Sequence, residues 1–237
     1  MKKLDGEIVD WFILFSIVLF LFLGTYQRNS LWNSEVELWK DCVKKSPQKE
    51  RTYHNLGFAY YELGQWEAAQ KEFEKALRLN PSYSLSMYNL GLVFYQKGLM
   101  AEAIECYKKT IAVNPNQPDS FYNLGLAYYQ KRNFTEAIEA YKELIDLAPD
   151  YKNAFASLGK AYKELKQWGE AITAFDQELK THADNFFAYT ELGLIYQELK
   201  DYPKALVNFK KALTYPRLPN AEEIQKMVSS IETGQKR

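Results

Sequence analysis

Imidazole and thiol chemistry have almost no raw material in this chain, which carries two histidines and two cysteines among 237 residues. Cys42 and Cys106 share no CxxC or other ligand spacing, so neither a zinc site nor a disulfide framework can be read from them. Both fall in apolar helical patterns, where a small buried hydrophobe is the expected role of a free cysteine. Net charge is missing as well: thirty basic and thirty acidic side chains cancel. That balance offers no basic face for nucleic acid and no charged tail to steer a partner. There is no glycine-rich phosphate loop, no H-x-x-x-H pair and no nucleophile elbow. Without those parts the chain is expected not to be an enzyme, and no cofactor, metal or small-molecule substrate is expected. What is abundant is aromatic packing material: eighteen Tyr, fourteen Phe and five Trp within a globular composition, 47% apolar and 25% charged.

One run is apolar on every face. Trp11 to Leu23 reads WFILFSIVLFLFL, and with its flanks the segment 8–26 would form a helix of about 28 Å, close to the hydrocarbon thickness of a bilayer. Trp11 and Tyr26 bracket it as interfacial rings do. Lys2 and Lys3 before the run would also suit a secretory signal, but no small-residue cleavage site follows Gly24. A buried soluble helix would need a core wrapped all round it. The expectation is a single-pass transmembrane helix at 8–26. Counting Lys and Arg near its ends favours the amino terminus inside by one charge, which puts the rest of the chain on the extracytoplasmic side.

The rest of the chain is periodic. Gly57, Gly91, Gly125, Gly159 and Gly193 recur every 34 residues, each preceded by Leu: Leu56, Leu90, Leu124, Leu158 and Leu192. Three residues after each glycine stands an aromatic (Tyr60, Phe94, Tyr128, Tyr162, Tyr196), twelve after it Ala69, Ala103, Ala137, Ala171 and Ala205, and sixteen after it Phe73, Tyr107, Tyr141, Phe175 and Phe209. Each period holds two runs of helical spacing, an A run such as TYHNLGFAYYELG and a B run such as WEAAQKEFEKALRLNP. Gly and Ala mark where the two helices of a pair approach closely, and the aromatics are expected to fill the gap to the next pair. Gly64, Gly98, Arg132, Lys166 and Lys200 mark the A-to-B turns, and Pro81, Pro115 and Pro149 stop the first three B helices. The fourth period departs from the pattern: Ala183 replaces the proline, and Glu178 stands where the tetratricopeptide repeat family, which the period resembles, has a small residue; together they suggest a bend or looser packing there.

These offsets resemble the tetratricopeptide repeat family. The resemblance implies an all-α, right-handed superhelical solenoid of antiparallel helix pairs, with five repeats over 50–219 (50–83, 84–117, 118–151, 152–185 and 186–219). Neither helix of a pair can bury its stripe alone, so the units must stack. In the same register, Trp39, Cys42 and Pro47 fall where Phe73, Ala76 and Pro81 fall, which makes 27–49 a linker and the B helix of a partial repeat. After the array, 220–237 reads as a capping helix and tail, Asn220 capping through Glu223, with Ile224, Met227, Val228 and Ile231 on one face. A second resemblance covers Thr25 to Pro47: it is similar to the junction between membrane domain and repeats in protein O-mannosyltransferase-like polytopic proteins. This chain has no counterpart of that family's catalytic loops, so what the resemblance implies is topology without activity.

By resemblance to the repeat family, the second, fifth, ninth and twelfth positions of each A helix face a concave groove. They are Arg51, His54, Phe58 and Tyr61 in the first unit, Leu85, Tyr88, Leu92 and Tyr95 in the second, and Asp119, Tyr122, Leu126 and Tyr129 in the third. In the fourth, Lys160 and Lys163 turn the wall basic. Phe58, Leu92 and Leu126 replace the asparagines with which some family members grip a terminal carboxylate. A wall of rigid tyrosines suits an extended peptide or a helix, although any of these rings can equally pack between neighbouring A helices. His54, without a repeating carboxylate partner, reads as a solvated surface histidine. The functional expectation is a membrane-anchored scaffold holding a protein or peptide partner in its groove; the alternative is the non-catalytic carboxy-terminal portion of a split or truncated membrane glycosyltransferase.

Overall fold

The computed structural model describes residues 18–20, 34–216 and 218–234. Among them the chain is helical without strands, Val18 to Phe20 included, and from residue 34 onward it forms twelve helices. They are α1 (Glu35–Lys45), α2 (Glu50–Glu62), α3 (Trp66–Leu79), α4 (Ser84–Gln96), α5 (Met100–Val113), α6 (Pro118–Gln130), α7 (Phe134–Leu147), α8 (Ala154–Glu164), α9 (Trp168–Thr181), α10 (Phe186–Glu198), α11 (Tyr202–Leu213) and α12 (Ala221–Glu232). The chain divides into two compact units, Met1–Lys97 and Gly98–Arg237.

In the first unit α1, α2, α3 and α4 pack each on the next, and α2 also touches α4. Val36 of α1 is buried with Leu56 and Ala59 of α2, and Trp39, Val43 and Tyr60 lean on them. In the second unit every helix from α5 to α12 packs on its successor, while α6 touches α8 and α8 touches α10. Contacts between alternate helices thus join the A runs to one another, as stacked helix pairs require. Ile224 and Val228 of α12 bury themselves against Ala205 and Phe209 of α11, flanked by Met227 and Ile231. Asn220 precedes α12 without capping it through its side chain.

The residues that recur at 34 are the ones that lose their solvent. Ala69, Phe73, Ala171, Phe175, Ala205 and Phe209 are completely buried, and each buried aromatic contributes about 1.5–3 kcal/mol. The aromatic sixteen residues after the glycine covers the glycine of its own pair and also reaches the following helix, as Phe175 does with Phe187 at 6.5 Å and Tyr141 with Ala154 and Leu158. A Cβ built on Gly57 would meet Phe73 Cδ1 at 2.8 Å, and one on Gly159 would meet Phe175 Cε2 at 2.9 Å. The A-to-B turns are equally regular. Gly64 donates to Tyr61 O and Gln65 to Tyr60 O, both at 2.9 Å, and Arg132 and Asn133 repeat the pattern with Tyr129 O and Tyr128 O at the same distances. This six-to-one and five-to-two pairing needs a left-handed residue just past the helix. Gly64 and Gly98 meet that need freely, whereas Arg132, Lys166 and Lys200 adopt φ of 62°, 57° and 61° at a cost of about 1–2 kcal/mol each.

The membrane expectation requires correction. Among the described residues no helix is long and apolar enough to cross a membrane. Helices α1 to α12 hold 11 to 14 residues, where a span needs about 20 apolar ones, and they spend their apolar stripes on neighbouring helices. The single-pass location drawn from segment 8–26, and the extracytoplasmic placement that depended on it, are overturned. Of that segment Val18–Phe20 are helical, and the remainder lies outside the described residues.

Candidate functional site

In the first unit the candidate residues separate by burial. On α2, Arg51 and Phe58 are exposed and Tyr61 is half-buried; on α4, Leu85 is exposed while Tyr88, Leu92 and Tyr95 are half-buried. Phe58 stacks on Tyr61 with ring centroids 6.3 Å apart, and Tyr61 leans on Trp66 at 5.1 Å. His54 departs from its surface reading. It is 8% exposed, shares a hydrogen bond of 3.1 Å with Ser86 Oγ of α4, and lies between the rings of Phe73 and Tyr83. Burial, aided by the nearby Arg51 charge, lowers its pKa to about 4. A neutral histidine tying α2 to α4 is a packing element, and it offers the groove no charge.

In the second unit the structure draws several candidates together. A groove of about 480 Å³ runs over the A helices, with Tyr122 and Leu126 from α6, Ala156, Ser157 and Lys160 from α8, and Phe186 and Phe187 from α10. Asn153, His182, Asp184 and Asn185 close one side, and Lys152 joins them. Lys160 is the central charge. Its Nζ lies 5.3 Å from the ring centroid of Tyr129 and 5.3 Å from that of Phe187, within cation–π reach of both. Tyr129 is held in turn, its hydroxyl donating to Glu164 Oε1 at 3.1 Å. Burial first, and Glu164 second, push that phenol up to about 12. Lys163 is spoken for by Glu191, whose Oε2 accepts from Nζ. Asp119 is exposed and accepts from the Tyr151 hydroxyl at 2.6 Å. The basic turn of the fourth unit therefore reduces to Lys160, with Lys152 at the rim.

The irregular fourth unit is where the sequence reading missed most. Glu178 does not loosen the packing; it is fully buried, 0% exposed. Its Oε2 accepts from the backbone N–H of Ala156 in the first turn of α8 at 3.2 Å, and its Oε1 accepts from Asn185 Nδ2 at 2.8 Å. His182 Nδ1 lies 3.3 Å from the same carboxylate, and Asn185 Nδ2 also reaches Asn153 Oδ1 at 3.3 Å. Asn153 precedes α8 at φ 64°, a conformation asparagine tolerates better than most. The carboxylate thus caps α8 from the neighbouring helix, and the polar knot forms one wall of the groove. The available signal was the same departure from the 34-residue pattern, with Asn153 and Asn185 standing just outside two helix starts.

The two thiols, free and half-buried, take no part; burial pushes Cys106 up to about 11, away from thiolate reactivity. Among the described residues no group of three or more His, Cys, Asp or Glu could hold a metal ion.

A search of curated proteins finds no match. Among solved structures the chain is similar to the MamA protein, with 27% identity and a TM-score of 0.67 over 70% of this chain and 90% of that one. It shares its fold with YrrB, at 20% identity and a TM-score of 0.69 over 85% of this chain and 100% of that one. PilF of Pseudomonas aeruginosa likewise shares the fold, at 18% identity and a TM-score of 0.68 over 87% and 94%. Repeat-family models match residues 59–98 and 93–131 as TPR repeat, and 118–151 and 157–221 as tetratricopeptide repeat. They begin at residue 59, so the junction at 25–47 that suggested an O-mannosyltransferase-like context lies outside them. With the period, the stacked helix pairs, the all-helical solenoid fold and matches running from 59 to 221 except 152–156, the chain belongs to the tetratricopeptide repeat family.

Proposed function

We propose that this protein is a tetratricopeptide scaffold whose A-helix face holds an extended peptide segment of a protein partner, with the groove on α6, α8 and α10 as its principal site. The observation that carries this reading is the groove itself. Tyr122, Leu126 and Phe187 leave apolar surface open beside the Lys160 cation, while the alanines and aromatics of the same repeats are spent on packing. Binding sites have that composition, apolar walls with a few placed polar groups. YrrB, described as a TPR protein with an unusual peptide-binding site, shares the fold and so supports the reading.

Random-peptide display on the immobilised full chain tests it. Peptides are expected that bind the wild-type chain and are lost when Tyr122 and Leu126 are both replaced by Ala, since removing anchors of this kind costs about 2 kcal/mol or more. The same peptides should keep their affinity for Val207→Asp, on the exposed surface of the B helix α11. Failure to recover any peptide, or recovery of peptides indifferent to the groove variant, refutes the proposal.

A further inference from the structure

Resting on that reading, we propose that Lys160 makes the groove selective for a segment carrying an internal Asp or Glu, whose side-chain carboxylate docks on Nζ between the rings of Tyr129 and Phe187. Lys163, Lys204 and Lys210 of the same unit pair with Glu191, Asp201 and Glu232. Lys160 makes no ion pair among the described residues, although it is half-buried and lines the groove. The acids around it are engaged: Glu164 by Tyr129, Glu191 by Lys163, Glu178 by the Ala156 N–H and Asn185. Asp184 lines the groove, is exposed, and forms no ion pair with Lys160 or Lys152. A positive centre is left that the fold does not neutralise.

Its surroundings strengthen it. Two aromatic faces, each 5.3 Å from Nζ, favour the ammonium and displace water from its flanks. A carboxylate arriving there gains more than at an open surface, where ion pairs are worth little. The apolar walls continue on both sides of Lys160, Tyr122 and Leu126 toward α6 and Phe187 toward α10. A chain that satisfies both walls must run past the lysine, so the carboxylate it presents there belongs to a side chain within the segment and not to its end.

The test uses the full chain and the peptides recovered from the display experiment. Enrichment of Asp or Glu at one position flanked by apolar residues is expected. Changing that acid to its amide in a synthetic peptide should weaken binding roughly tenfold, and the loss should shrink at high ionic strength. Lys160→Met should weaken the acidic peptide by a similar factor and leave the amide peptide nearly unchanged, while Lys160→Arg retains the preference. The acid-to-amide comparison on the wild-type chain keeps the proposal falsifiable even if a Lys160 variant folds poorly. Peptides that bind the groove without an acidic preference overturn this inference and leave the peptide-binding reading standing. So does binding abolished by amidating only the peptide's carboxy terminus, which would make the anion a terminal carboxylate. An empty selection overturns both.

Discussion

Gly57 is the place where the repeat pattern can be turned into a number. Replacing it by Ala adds a Cβ that would stand 2.8 Å from Phe73 Cδ1, 2.9 Å from Phe73 Cε1 and 3.2 Å from the carbonyl oxygen of Ala69. Ordinary carbon contacts lie at about 3.5–4.0 Å, so the ring must retreat by close to 1 Å. It has nowhere to go, because Phe73 and Ala69 are fully buried and the oxygen belongs to the backbone of α3. Overpacking of this kind costs about 1–3 kcal/mol, set against a helix-propensity gain of up to about 1 kcal/mol for Gly to Ala. Gly169, in α9, supplies the control. A Cβ there meets nothing within 4 Å, so Gly169→Ala keeps the propensity gain without the clash.

Far-UV circular dichroism melts of wild type, Gly57→Ala and Gly169→Ala read the outcome. The first variant should melt below wild type and the second at or slightly above it, with about 2–4 °C expected per kcal/mol for a chain of this size. Replacing Phe73 by Leu in the Gly57→Ala background should cost less than the two single changes predict together, because the shorter side chain yields the space the methyl requires. A Gly57→Ala variant as stable as Gly169→Ala would refute the claim that the ring sixteen residues on dictates glycine at this position.

Two further outcomes follow from buried polar groups. His54 remains neutral down to about pH 4, whereas in the unfolded chain it takes up a proton near its ordinary 6.5. The unfolded state therefore binds more protons between those values, and stability should fall on acidification from about 6.5 to about 4 by at most about 3 kcal/mol. Urea titrations across this window, beside His54→Phe, should show the wild-type slope exceeding that of the variant; equal slopes would refute the assignment. Glu178→Ala should cost about 1–3 kcal/mol by orphaning the Ala156 N–H, with faster amide exchange in the first turn of α8 and a smaller effect for Glu178→Gln. Unchanged exchange there would show that the carboxylate does not hold that turn.

How far the sequence carries depends on what a period encodes. Spacing at 34 reports which residues occupy equivalent places, and equivalence goes far toward burial: Leu56, Leu90, Leu124, Leu158 and Leu192, with the alanines twelve and the aromatics sixteen residues after each glycine, are all interior, while the aromatics three residues after it are half-buried. Equivalence does not report partners. Periodicity alone could not tell that the Phe73 ring covers its own glycine, that His54 turns inward to Ser86, or that Tyr129 is held between Glu164 and Lys160. The apolar run at 11–23 misled for a related reason. Hydrophobicity measures how much surface must leave water and does not name what it leaves water for, and no helix among the described residues has the length and apolarity to cross a bilayer.

Departures from the period carry the remaining information, and they have a physical logic. A polar residue on a buried stripe is tolerated at little cost when its polar atoms find partners, because an orphaned group costs more than a satisfied one contributes. Glu178 meets that condition with two partners from neighbouring elements, the first turn of α8 and the Asn185 amide before α10, and a third, His182, at the end of its own helix. The same arrangement sets Asn153 and Asn185 beside each other at one wall of the groove, next to the α8 turn that leads to Lys160. Identical repeats would have continued an uncharged apolar face through this position, where the other units carry Phe58, Leu92, Leu126 and Leu194. The departures at 160 and 178 instead set Lys160, which makes no ion pair among the described residues, with Lys152 at the rim, beside a fixed polar wall, and the proposed preference for an acidic side chain rests on that contrast.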